Sequence, residues 1–83
     1  MKVERSISWF SKVDGKLAGE IIIDDYVNLQ DLKEIFEVYE NDPLMYMAYD
    51  IKESEANKLK KFISFKFDFE QFNYELNCFQ AGT

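Results

Sequence analysis

The chain has 83 residues, 16 of them acidic and 10 basic, for a net charge of −6, and it has no histidine. A hydrophobic content of 47% and an aromatic content of 17% exclude a disordered chain and suffice for one packed core, read as a single domain over residues 1–83. The acidic balance disfavours nucleic acid and anionic membrane as partners and favours a positively charged one, although acidity that only keeps a small protein soluble reads the same way.

Residues 3–12 alternate: Val3, Arg5, Ile7 and Trp9 fall on one side, Glu4, Ser6, Ser8 and Phe10 on the other. That period predicts a half-buried strand. Trp9 and Phe10 are adjacent and must point to opposite faces. Asp14-Gly15 tolerates positive φ and predicts a hairpin turn, with Leu17 to Ile23 as the second arm. Asn28 is a candidate helix N-cap with Asp31 three positions on, and Leu29, Leu32, Ile35, Phe36 and Tyr39 recur at helical spacing. This predicts a helix over 28–40, stopped by Asn41-Asp42-Pro43.

Residues 44–51 alternate again, with Met45, Met47, Tyr49 and Ile51 on one side and Tyr46, Ala48 and Asp50 on the other. A second helix is predicted over 53–63, with Ala56, Leu59, Phe62 and Ile63 as its apolar stripe and charges at both ends that complement the helix dipole. Phe65 to Phe69 reads as a short strand or an extended connection. Residues 73–79 read as the closing strand, with Tyr74, Leu76 and Cys78 inward, and 81–83 as a loose tail. The predicted fold is α+β: a small antiparallel sheet of about four strands, one or two helices on one face, the other face open.

The composition argues against catalysis. Without histidine the usual general base and commonest metal ligand are missing. Asp24-Asp25 and the Glu37/Glu40 pair read as solvated charge, and Cys78 has no base to activate it. With three glycines and no calcium-loop spacing, no cofactor or metal is expected. The start of the chain leads straight into strand-like sequence and no apolar run reaches membrane-spanning length, so a cytoplasmic protein is expected. What remains is the open face, carrying Glu4, Ser6, Ser8, Phe10, Glu20, Tyr46, Ala48, Asp50, Asn73, Glu75 and Asn77. Aromatic anchors within a charged rim match the anatomy of an interface, although an ordinary solvated face with two aromatics would read the same way.

Trp9-Phe10-Ser11-Lys12, then Leu17 and Gly19-Glu20, resembles the opening of the cloacin and ribonuclease-type colicin immunity proteins, a hairpin reading Trp-Phe-Asp-Lys, then an aromatic, then Gly-Glu. Tyr49-Asp50-Ile51 resembles their Phe-Asp-Val strand. Phe67-Asp68-Phe69 and Phe72-Asn73-Tyr74 resemble their closing Ile-Asp-Ile and Asp-Tyr-Phe run. A more distant immunity protein of contact-dependent inhibition fits as well. The resemblance implies tight binding to a cognate toxin nuclease, cancelling its basic charge, by a chain that is monomeric beforehand. Carried onto this sequence, the implied contacts are Phe10, Leu17, Glu20, Ala48 and Glu75, with Ala48 near the centre. The alternation of the open face adds Tyr46, Asp50, Asn73 and Asn77. Leu17 stands where the family has an aromatic and Glu75 where it has phenylalanine, which implies a different toxin. The alternative is an adaptor module that self-associates through the same face.

Overall fold

A tight turn between two alternating segments starts the fold. The computed structural model describes residues 2–81. β1 (Lys2–Ser11) and β2 (Leu17–Ile22) form the expected hairpin. Gly15 takes φ 72°, its N–H donates to the Ser11 carbonyl at 2.7 Å, and the Asp14 carboxylate accepts from the Lys16 N–H at 3.0 Å. Trp9 pairs with Gly19 but Phe10 pairs with Leu17, so Ala18 is an extra residue in a bulge.

The remaining elements are α1 (Leu29–Ile35), β3 (Tyr49–Ile51), α2 (Glu53–Leu59) and β4 (Phe72–Ala81). The strands lie in the order β2-β1-β4-β3, every neighbour antiparallel. The protein is therefore α+β, with a four-stranded antiparallel sheet as predicted. One face carries the rungs Ile7–Leu76–Tyr49 and Trp9–Tyr74–Ile51. Leu32 and Ile35 of α1 and Ala56 and Leu59 of α2 join these residues in one core, with Trp9 half-buried at its margin. No helix among the described residues is long and apolar enough to cross a membrane.

Asn28 caps α1 as expected: its Oδ1 accepts from the Asp31 N–H at 2.8 Å, and its own N–H donates to the Asp31 carboxylate at 3.4 Å. The helix is shorter than the predicted 28–40. Phe36 is already extended (φ −104°, ψ 151°). Tyr39 meets the core from a loop, stacked on Tyr49 with ring centroids 4.4 Å apart.

The strand predicted over 44–51 is reduced to three residues. Met45 is buried in a left-handed conformation (φ 55°), which breaks the extended run. Asp42 then accepts from the N–H groups of Tyr46 at 2.8 Å and Met47 at 3.0 Å and from the Tyr49 hydroxyl at 2.8 Å. An Arg5 guanidinium N–H donates to the Leu44 carbonyl at 2.7 Å. These bonds hold residues 44–48 off the sheet and leave Met47, expected in the core, exposed. The second helix stops at Leu59, and Phe62, expected on its apolar stripe, is exposed beyond it.

Residues 65–68 form no strand but an irregular connection, and Phe69 opens the turn that leads into β4. Their aromatics clasp the core margin: Phe65 lies 5.1 Å from Trp9, and Phe67 and Phe69 lie 4.9 and 5.2 Å from Tyr74. The Tyr74 hydroxyl accepts the Asp68 N–H at 2.7 Å. Ala81, expected in the tail, is the last residue of β4; Gly82 and Thr83 lie outside the described residues.

Candidate binding site on the open sheet face

Strand register converts the alternation of four strands into transverse rungs on the side away from the helices. Leu17, Phe10 and Asn73 make one rung, and Glu20, Ser8, Glu75 and Asp50 make the next. Ile22, Ser6 and Asn77 follow, then Glu4 and Phe79. Adjacent strands lie ~4.8 Å apart, so the second rung sets three carboxylates along roughly 14 Å. Asp50 and Glu75 stand directly opposite one another, and no residue paired on that rung is basic. Like charges placed this way are destabilising.

The centre of the face is a small polar network. Ser8 is fully buried; its hydroxyl donates to the Glu20 carboxylate at 3.0 Å and accepts from the Asn77 amide at 3.1 Å. This fixes Glu20 and Asn77 over β1. Apolar side chains flank the acidic rung on both sides: Leu17 is 58% exposed with half-buried Phe10 beside it, and Ile22 and Phe79 are exposed beyond Ser6. At the Phe10 end Phe10, Asp50, Lys52, Phe69, Asn73 and Glu75 are among the residues that line a groove. Lys12 also lines it, with its ammonium donating to the Phe69 carbonyl.

Of the sequence-predicted site residues, Phe10, Leu17, Glu20, Asp50, Asn73, Glu75 and Asn77 share this face. Tyr46 and Ala48 do not. Both are exposed, but they precede β3 outside the ladder, because Asp42 has taken up the backbone of 46 and 47. Tyr46 lies instead with Val3, Cys78, Phe79 and Gln80 around a shallow depression near the end of β4. Ile22 and Phe79 are the face residues that the sequence reading passed over. The signal was present, since each continues a period of two from Glu20 and from Asn77.

Away from this face, the Asp42 cluster is structural. Burial raises the Asp42 carboxyl, but the N–H donors of Met47 and Tyr46, the Tyr49 hydroxyl and the Arg5 charge more than offset it, and its pKa lies below the ordinary 3.8. Burial and the bond to Asp42 push the Tyr49 hydroxyl above its ordinary 10.0, and burial raises the Cys78 thiol. A raised thiol is a poor nucleophile at neutral pH. Among the described residues no three His, Cys, Asp or Glu side chains are placed to hold a metal ion.

One family matches residues 4–77, a span that runs from β1 through most of β4. The chain belongs to this family, described as a domain of unknown function (DUF7683). The match takes in every face residue described above except Phe79. No curated protein matches the chain.

Proposed function

We propose that this DUF7683 chain is an immunity protein that binds and neutralises a cognate bacterial toxin, a basic nuclease, in the cytoplasm and without catalysis of its own. The observation that carries the reading is the acidic rung Glu20–Ser8–Glu75–Asp50, set between apolar residues on the sheet face opposite the helices. The resemblance of the Trp9-Phe10 hairpin and of the closing aromatic run to the colicin immunity proteins supports it. A nuclease must be basic where it holds its substrate, and an acidic face competes for the same charge. Rim carboxylates would raise the association rate, and the apolar flanks would set the lifetime of the complex. Co-expression with the product of the adjacent upstream gene tests the reading. Protection and a one-to-one complex are expected; neither appearing would overturn it.

Self-association through the same face is the second reading, favoured by the exposure of Leu17 and Ile22 on edge strand β2. Stacking two copies about a two-fold axis sets the acidic rung against itself, which counts against it. Sedimentation of the purified chain separates the two, a concentration-independent monomer excluding the dimer.

A further inference from the structure

Ser6 is the group on the open face that the fold leaves unsatisfied. It projects from β1 between Ile22 and Asn77, beside Ser8, and is fully buried by these neighbours, yet its Oγ has no hydrogen-bond partner. Ser8 shows the contrast, because its hydroxyl is satisfied on both sides by Glu20 and Asn77. A buried hydroxyl without a partner is destabilising, and alanine in its place would remove the defect. A second defect lies one rung away, where Asp50 faces Glu75 and Glu20 adds a third carboxylate. Of the two lysines that line the adjoining groove, Lys12 donates to the Phe69 carbonyl, while Lys52 is the one beside Asp50 and Glu75.

One kind of group answers the acidic rung and, once Ile22 or Asn77 shifts aside, the buried Ser6 hydroxyl as well: a cation that also donates several hydrogen bonds. A guanidinium does so, with five N–H donors in a planar fork that suits carboxylates. Asp50 and Glu75 are directly opposed on strands ~4.8 Å apart, close enough for their carboxylates to share one fork. Glu20 stands on the far side of Ser8 from Glu75, its carboxylate held over β1 by the Ser8 hydroxyl, and can take a second. We infer that the rung Glu20–Ser8–Glu75–Asp50, with Ser6 and Asn77 beside it, receives a pair of arginine side chains from a protein partner. The apolar flanks argue for a protein rather than a small polycation, since Phe10 with Leu17 and Ile22 with Phe79 offer contacts that only a partner with its own apolar surface can use. This deepens the reading of the face as a toxin-docking surface by naming what the toxin presents.

The test uses the full chain, labelled for NMR, and a synthetic peptide with two arginines two positions apart between leucines. Its controls are the same peptide with glutamates for arginines, and spermine. The arginine peptide is expected to shift the amides of Ser8, Asp50 and Glu75. Glu75→Gln should weaken binding at least ~10-fold while its melting temperature stays level or rises, because a like-charge pair has been removed. Ser6→Ala should also keep or gain stability and lose affinity, which a merely structural serine would not do. Shifts elsewhere, equal binding by Glu75→Gln or Ser6→Ala, or spermine binding as tightly as the peptide would each overturn the inference. A complex with the upstream gene product that survives Glu75→Gln unchanged overturns the arginine rung and leaves toxin inhibition standing. Arginine binding with no such complex does the reverse.

Discussion

Trp9 lies so close on Gly19 that a Cβ added at position 19 would sit 2.1 Å from indole Cζ2 and 2.3 Å from Cε2. The two are cross-strand partners on the helix-covered face. Glycine weakens a strand, but here it opens a slot in which the indole lies flat and reaches Phe65. The bulge at Ala18 follows at once and restores Leu17 to the side of Phe10. Gly19→Ala should therefore destabilise the fold by ~1–3 kcal/mol, as overpacked sites do. Adding Trp9→Phe should recover part of that loss, and urea melts followed by circular dichroism measure both. Purely additive losses would mean that the ring and the methyl do not compete for space.

The adjacent aromatics should separate fold from binding. Trp9→Ala is expected to cost about 3 kcal/mol, at the lower end for a large core truncation because the ring is half-buried. Phe10→Ala should cost about 1 kcal/mol or less in stability and markedly weaken the proposed toxin complex. Thermal melts and a binding titration of the two variants decide, and the reverse pattern would exchange the roles of the two faces.

Acid should act on the Asp42 cluster. Its folded pKa is depressed below 3.8, so the stability it contributes is present above that value and lost as pH falls through the lower, folded pKa. Asp42→Asn should lower stability at neutral pH and flatten its fall in acid. Tyr49 has the opposite sign: its folded pKa is raised above 10.0, so its contribution is intact below pH 10.0 and lost as pH rises through the folded value. Urea midpoints across the acid and alkaline ranges, compared with Asp42→Asn and Tyr49→Phe, check both.

The cap of α1 offers a local test. Asn28→Ala removes the acceptor for the Asp31 N–H and should cost ~1 kcal/mol, whereas Asn28→Asp keeps the acceptor and should cost less. Chemical denaturation of the pair measures the difference.

Most of the sheet was legible because its signals are local: alternation in residues 3–12 and 73–79, Asp14-Gly15 at the turn, Asn28 at the cap. The misreadings have tertiary causes. Tyr39 has helical spacing, but its ring is used against Tyr49 from outside the helix. Asp42 reads in sequence as a helix stop beside Pro43, and nothing there announces that its carboxylate binds the backbone of residues 46 and 47. That bond took Tyr46 and Ala48 off the candidate face. The acidic rung, by contrast, needed only the register, because each carboxylate already alternated to the correct side.

The bond from Asn77 to Ser8 spans 69 residues of chain. β1, made first, thus finds its second neighbour only when β4 emerges from the ribosome. Until then the border of β1 that faces β4 is unpaired. Closing so long a loop carries an entropic cost, so the pairing of β1 with β4 is expected late in folding. The rung between Glu20 and Asp50 is complete only with β4 in place, so a partly made chain lacks the proposed docking surface.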